Sequence, residues 1–194
     1  MKVMEIGIIG INSLTIDLAN RASEAGFKVI INNPKGSTLV RDCIEKMGTD
    51  IHLGSLDEAA APDLVVIFLP KENLEDTIRK MPDMSGKTVL HTSSLISDPQ
   101  SLLSGISNAM AYKTAAALFP AANVVKLFSP MPCSSHLDTT EKQKKEELFF
   151  IADCSDSRNK ANTFLKKMQF LPVDLSSRLK LQNNWIDTVW HQTG

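Results

Sequence analysis

The first 31 residues alternate between buried strand and amphipathic helix in a way that few folds accommodate. Met4–Ile9 is a short continuous apolar run, which is typical of a strand buried on both faces of a sheet. Ser13 is a suitable N-cap for the next segment, in which small and apolar residues recur at helical spacing until Gly26 ends the helix. Phe27–Ile31 is a second apolar run. Two buried strands joined by one helix within about thirty residues predict a parallel βαβ unit.

The same alternation continues along the chain. The predicted strands are Met4–Ile9, Phe27–Ile31, Thr49–Leu53, Leu64–Leu69, Lys87–His91, Asn123–Phe128, Glu147–Asp153 and Pro172–Leu175. The predicted helices are Leu14–Ala25, Ser37–Met47, Ser55–Ala61, Glu72–Lys80, Ala109–Leu118, Arg158–Met168 and Leu179–His191. Leu64–Leu69 is the most apolar of the strands, so we expect it near the centre of the sheet.

Strands that alternate with helices of this length predict an α/β fold of the Rossmann type, with a doubly wound, mostly parallel sheet. We expect the first six strands to be parallel. We expect residues 1–178 to form a single domain, with residues 179–194 as a C-terminal helical extension that belongs to the domain or to a dimer interface. Because open sheets of this kind bind ligands outside the carboxyl ends of their strands, the predicted crevice lies next to Gly10, Leu69 and Ser93.

Charge and cysteine content narrow the range of partners. The formal net charge of −1 provides no basic excess for binding a nucleic acid. The three cysteines are widely spaced and do not form a disulfide framework. No stretch approaches the ~18 uninterrupted apolar residues that a membrane span needs, and Ile6–Ile11 lacks the cleavage site of a signal peptide. We therefore expect a cytoplasmic protein that contacts neither nucleic acid nor membrane.

The turn after the first strand occupies the place of a dinucleotide-binding loop, although its glycines are incomplete. The fingerprint uses three glycines, for a tight turn, for close approach of the pyrophosphate and for helix–strand packing. Gly10 stands in the first place, Asn12 in the second and Thr15 in the third. Asn tolerates a left-handed backbone, whereas we expect the branched Thr15 to push the helix away from the sheet. The loop either holds a pyrophosphate on the backbone N–H groups of Asn12, Ser13 and Leu14 or is a turn that binds nothing.

The end of the second strand indicates which dinucleotide is preferred. NAD-binding proteins carry a carboxylate there, which accepts a hydrogen bond from the ribose 2′-hydroxyl. This chain has none between Asn32 and Ser37, where Asn33, Lys35 and Ser37 are all able to donate to a 2′-phosphate, and Arg41 adds positive charge. If a dinucleotide binds, these residues favour NADP(H). The alternative is a solvated turn.

Several segments together resemble a known family. They are Ile6-Gly7-Ile8-Ile9-Gly10, Asn33-Pro34-Lys35-Gly36, Phe68-Leu69-Pro70, Ala122–Phe128 and Phe170–Leu175. Their order and placement are similar to those of the deazaflavin-dependent NADP oxidoreductases, whose Rossmann module also occurs in the cytoplasmic domains of membrane ferric reductases. The resemblance covers nearly the whole chain.

The resemblance implies hydride transfer between NADPH and a flavin-like acceptor in a homodimer. It assigns Asn12, Ser13 and Leu14 to the pyrophosphate and Asn33 and Lys35 to the 2′-phosphate. The remaining assignments are Leu69 and Pro70 beside the ribose, and Ser93 with Phe128-Ser129-Pro130 near the nicotinamide.

The chain departs from the family pattern at the cofactor end of the sheet. The second and third loop glycines are absent, Ser129 replaces the usual Asn, and His91-Thr92-Ser93-Ser94 stands where the family shows Asp and an Asn-Pro pair. No catalytic residue is assigned, since the cofactor supplies the chemistry of such a transfer. Two interpretations stay open: an NADPH-dependent oxidoreductase, or a catalytically inactive Rossmann module that senses a nucleotide or binds a protein.

Three other features are weaker candidates. Cys133 and His136 form a Cys-x-x-His pair, with His91 as a possible neighbour, but a zinc site needs a further ligand, and we expect no metal. Cys43 and Cys154 are predicted to be small buried hydrophobes.

The terminal helix carries Trp185, Ile186, Val189 and Trp190 on one broad face. Aromatic anchors of this kind are enriched at interface cores, so we expect this helix to contribute to a homodimer interface, the alternative being that it packs on its own domain.

Overall fold

A computed structural model of the chain describes residues 4–36, 38, 40–70, 74–92, 105–128 and 146–177. These residues form one sheet of eight strands. The strands are β1 (Glu5–Ile9), β2 (Lys28–Asn32), β3 (Ile51–Leu53), β4 (Leu64–Phe68), β5 (Thr88–Thr92), β6 (Asn123–Phe128), β7 (Glu147–Ala152) and β8 (Leu171–Asp174). The helices are α1 (Ser13–Glu24), α2 (Arg41–Glu45), α3 (Leu56–Ala60), α4 (Leu74–Lys80), α5 (Gly105–Leu118) and α6 (Ser155–Lys167).

The strand order is β3-β2-β1-β4-β5-β6-β7-β8. All pairings among β1 to β6 are parallel, β7 is antiparallel to β6, and β8 is parallel to β7. The predicted α/β Rossmann-type fold and the six parallel strands are therefore confirmed. The order reverses between β1 and β4, which is the position where a doubly wound sheet forms its ligand crevice.

Helices cover both faces of the sheet. One apolar cluster joins α1, α2 and α6 to the sheet through residues such as Leu18, Ile44 and Phe164. A second cluster lies on the other face, where Ala59 of α3 and Ala115 of α5 pack with Val65 and Ile67 of β4. Every central strand is thus buried on both faces, which explains why the strands appear in the sequence as continuous apolar runs.

Three helices begin at residues other than the predicted ones. α2 is shorter than the predicted Ser37–Met47: its N-cap, Val40, makes no side-chain capping bond, and Ile44 is its buried residue. α6 begins before the predicted Arg158, since the side chain of Cys154 accepts a hydrogen bond from the N–H of Ser157. α5 begins at Gly105, before the predicted Ala109.

The predicted terminal helix Leu179–His191 lies outside the described residues, so the expected helical extension stays a prediction. Among the described helices, none combines the length and apolarity required to cross a membrane.

Candidate functional site

Gly10 makes the tight turn that the sequence predicts, and it does so for two reasons. Its φ of +87° is a backbone conformation that favours glycine. A Cβ at this position would also lie 1.7 Å from the carbonyl oxygen of Phe68, at the end of β4. The N–H of Gly10 donates to the carbonyl of Asn32 at 2.8 Å. The first loop glycine therefore lets the carboxyl ends of β1, β2 and β4 come together.

Asn12 and Thr15 form a reciprocal capping box at the start of α1. The Asn12 side-chain oxygen accepts a hydrogen bond from the N–H of Thr15 at 2.7 Å, and the Thr15 hydroxyl accepts one from the N–H of Asn12 at 2.8 Å. Asn12, not the predicted Ser13, is thus the N-cap.

Two expectations about the missing glycines are wrong: that Asn12 has a left-handed backbone to accommodate, and that Thr15 pushes the helix away from the sheet. Asn12 has a φ of −147°, so the second position has an extended backbone and no left-handed conformation to tolerate. Thr15 is buried at 1% exposure within a helix that packs closely on the sheet. Its branched side chain turns back onto the loop as a hydrogen-bond partner, so it does not push the helix away.

The capping box determines which N–H groups of α1 remain for a ligand. The first N–H groups of a helix have no intrahelical acceptor, and the box satisfies those of Asn12 and Thr15. Within the described part of the chain, the N–H groups of Ser13 and Leu14 have no acceptor. The Asn12 amide also donates to the Thr92 hydroxyl at 3.4 Å, which links the loop to the end of β5. Two of the three predicted pyrophosphate donors therefore have no acceptor among the described residues.

The segment after β2 is a closed turn. The N–H of Gly36 donates to the carbonyl of Asn33 at 2.9 Å, and the Asn33 side-chain amide donates to the carbonyl of Gly36 at 2.7 Å. Asn33 therefore shapes the turn, while Lys35 is exposed and forms no ion pair with any described residue. Ser37 lies outside the described residues.

The other predicted contacts divide between core residues and segments that are not described. Leu69 is buried in the cluster beneath α3 and α5, and Pro70 beside it is half-buried. Phe128 is buried against Tyr112 and Ile151. The predicted contacts that fall outside the described residues are Ser93, Ser129, Pro130, Cys133 and His136.

Lys126 and His91 form a buried pair that the sequence analysis did not identify as a pair. They are register partners on β6 and β5, and the Lys126 Nζ lies 2.9 Å from the His91 Nδ1. Lys126 is 2% exposed. Burial and the neighbouring ammonium lower the pKa of His91 to about 3, and burial lowers the pKa of Lys126 to about 8. The neutral imidazole therefore accepts from the ammonium. A lysine inside the apolar run Asn123–Phe128 is the signal that could have revealed the pair.

The two described cysteines are both exposed, so their prediction as buried hydrophobes is wrong. Cys43 lies on the solvent side of the short helix α2, where Ile44 is the residue that is buried. Cys154 caps α6, and its Sγ lies 2.9 Å from the Ser157 hydroxyl. Hydrogen bonds from the side chain and backbone of Ser157 lower the pKa of the Cys154 thiol.

A cavity of about 920 Å³ opens at the amino ends of β1, β4 and β5, against α6. Phe27, Leu64 and Phe164 contribute apolar lining, and Lys160 and Lys167 contribute charge. This is the edge opposite the predicted crevice. The loops that follow β4, β5 and β6 fall largely outside the described residues, so the crevice at the carboxyl edge stays a prediction.

Comparison with known proteins gives this fold a family context. The family model described as coenzyme F420-dependent NADP oxidoreductase matches residues 5–94, from β1 to just beyond β5 and slightly less than half of the chain. The resemblance to this family is confirmed. A comparison with curated proteins gives no match.

Solved structures extend the likeness over the whole sheet. A hypothetical protein from Sinorhizobium meliloti is 25% identical, with a TM-score of 0.69 over 89% of this chain and 84% of that one. A candidate F420-dependent NADP reductase from Arthrobacter sp. FB24 is 17% identical, with a TM-score of 0.66 over 98% and 95%. An imine reductase from Myxococcus stipitatus, solved with NADP⁺, is 14% identical, with a TM-score of 0.57 over 98% of this chain and 62% of the reductase. At such identities the last two show the fold alone.

Proposed function

We propose that this protein is an NADP(H)-binding oxidoreductase that transfers a hydride between NADPH and a flavin-like or deazaflavin acceptor. One observation carries the proposal: the N–H groups of Ser13 and Leu14 have no acceptor within the described ranges. They lie at the β1–β4 switch point of a chain similar to NADP oxidoreductases. A helix N-terminus with free N–H groups stabilises a pyrophosphate through hydrogen bonds and the helix dipole.

The residues of this chain fit the adenosine half of NADP(H). The described turn after β2 contains no carboxylate that would repel a 2′-phosphate, and Lys35 is exposed on it. Asn33 holds the turn closed and so positions Lys35. The other proposed contacts of the dinucleotide are Gly10, Ser37, Leu69, Pro70 and Ser93.

The bound dinucleotide supplies the hydride, and the protein aligns donor and acceptor and excludes water. No acid or base of this chain is assigned a step. The acceptor would be a flat flavin-like ring at the carboxyl ends of β4, β5 and β6.

We further propose that the protein is a cytoplasmic homodimer in which the helix Leu179–His191 contributes to the interface. A chain ending at Arg178 should then be a soluble monomer, whereas full-length protein that sediments as a monomer at micromolar concentration would contradict this.

One observation favours the alternative of a catalytically inactive Rossmann module that senses a nucleotide or binds a protein. The capping box engages the N–H of Asn12, which was one of the three predicted pyrophosphate donors. Calorimetric titration with NADPH, followed by NADPH oxidation in the presence of free flavins and a deazaflavin, separates the candidates. Binding with turnover supports the oxidoreductase, binding without turnover on any acceptor supports the sensor, and absence of binding removes both nucleotide functions.

A further inference from the structure

Lys126 is a buried charged side chain whose described surroundings supply no opposite charge. The residue is 2% exposed. Its side chain lies on the sheet face that α5 covers, because Lys126 and Val124 of the second apolar cluster point to the same side of β6. Among the described residues, no carboxylate lies within ion-pair distance of its Nζ. Its one described hydrogen-bond partner is the neutral ring of His91.

The pair lies on β5 and β6, in the half of the sheet whose carboxyl ends would hold the nicotinamide. A dinucleotide spans the switch point, with its pyrophosphate at α1 and one mononucleotide over each half of the sheet. The 2′-phosphate end belongs to β2, so the nicotinamide half belongs to β4, β5 and β6. His91 is one residue from the carboxyl end of β5, and the Lys126 Nζ lies 5.8 Å from the ring centroid of Phe128, at the end of β6.

We propose that the buried ammonium of Lys126, held by His91, makes this site prefer the reduced dinucleotide over the oxidised one. The proposal rests on the proposed function. The two forms of the cofactor share the adenosine, both riboses and all phosphates, and they differ in the nicotinamide ring, which is neutral when reduced and carries a positive charge when oxidised. A fixed cation in a region of low dielectric disfavours the charged ring, and at an effective dielectric of about 20 two charges roughly 10 Å apart change an equilibrium on the order of tenfold.

The surroundings of Lys126 leave it as the group that titrates near neutral pH. His91 faces it from β5 and is neutral above about pH 3. From α5, Tyr112 packs with Phe128 and Ile151, and burial together with the charge of Asp153 raises its pKa to about 12. The β7 register partner of Lys126 is the apolar Ile151. In this described cluster, Lys126 alone changes charge between pH 7 and 9.5.

The test measures the ratio of the Kd for NADP⁺ to the Kd for NADPH by calorimetry, so that any change in the contacts shared by the two nucleotides cancels. In Lys126→Met the ratio should fall about tenfold. The matched control is Lys113→Met, which removes the same charge from the exposed side of α5, where solvent screens it, and should leave the ratio unchanged. In the unmodified protein the ratio should fall by a similar factor between pH 7 and 9.5.

The outcomes distinguish this inference from the proposed function. If both nucleotides bind the Lys126→Met protein with the original ratio, the inference is overturned and the proposed function stands. If the Lys126→Met protein does not fold, the pH series on the unmodified protein decides, and a ratio that is constant with pH overturns the inference. If the unmodified protein binds neither nucleotide, the proposed function is overturned, and the inference that rests on it is overturned with it.

Discussion

The side chains of Asn12 and Thr15 exchange hydrogen bonds with each other's backbone N–H groups across the first turn of α1. These residues occupy the second and third glycine positions of the dinucleotide-binding fingerprint. The reciprocal box fixes the loop through side chains where glycines would leave it open, and the Asn12 amide extends the connection to Thr92. The loop is therefore shaped by its own residues, and no described residue accepts a hydrogen bond from the N–H groups of Ser13 and Leu14.

Removing one hydrogen-bond acceptor from the capping box, while keeping the volume of the side chain, should destabilise the fold. Thr15→Val keeps the branched shape but leaves the N–H of Asn12 without an acceptor, so we expect unfolding to become easier by about 1–2 kcal/mol. Thr15→Ser is the matched control, since it retains the hydroxyl. Urea unfolding of both variants measures the difference. Equal stability of Thr15→Val and the unmodified protein would show that the box contributes nothing.

The N–H of Ser13, which has no acceptor in the described part of the chain, can be removed without disturbing α1. Ser13 is the first helical residue, where proline is well tolerated, and the extended backbone of Asn12 suits a residue before proline. Ser13→Pro should therefore fold normally but bind NADPH about ten- to a hundredfold more weakly, because one hydrogen bond to a charged phosphate is worth about 1.5–3 kcal/mol. Ser13→Ala keeps the N–H and serves as the control. Calorimetry on the two variants checks this, and equal affinities would place the pyrophosphate elsewhere.

Reversing the charge of Lys35 should abolish the preference for NADPH over NADH. A carboxylate on the exposed turn after β2 would repel the 2′-phosphate and could accept from a 2′-hydroxyl. Thermal shift with each nucleotide at equal concentration measures this, because a ligand that binds the native state raises its stability by mass action. Lys80→Glu reverses an exposed charge at the end of α4 and should retain the preference. If NADH stabilises the unmodified protein as much as NADPH does, Lys35 does not select the cofactor.

Much of the fold could be predicted from the sequence because both faces of the sheet are covered. Burial on both faces requires continuous apolar strands, and the predicted Asn123–Phe128 matches β6 residue for residue. The arrangement of the candidate site could be predicted from the sequence to a smaller extent. The pattern of Asn12 and Thr15 looked like the loss of two glycines, because a capping box depends on side-chain orientation that spacing alone did not suggest. The pairing of His91 with Lys126 depends on the register of two strands 35 residues apart, which no local pattern contains.

Replacing Lys126 with Met should make the protein more stable at neutral pH, which is the opposite of what a structural residue would do. Burial lowers the pKa of Lys126 to about 8 from an ordinary value of 10.5, and this shift corresponds to a cost on the order of 3 kcal/mol while the amine is charged. Loss of the hydrogen bond to His91 offsets part of the gain, so we expect Lys126→Met to be more stable by about 1–2 kcal/mol at pH 7.

The sign of the pH dependence follows from proton binding. Between about pH 8 and 10.5 the unfolded chain holds the Lys126 proton and the native protein does not, so the stability of the unmodified protein rises with pH over that interval. The advantage of Lys126→Met should therefore be complete below pH 8 and gone near pH 10.5. Urea unfolding of both proteins at pH 7 and pH 10 measures it. A variant that is less stable at pH 7 would show that the ammonium has a stabilising partner, and the charge could then no longer be regarded as free to act on a bound nucleotide.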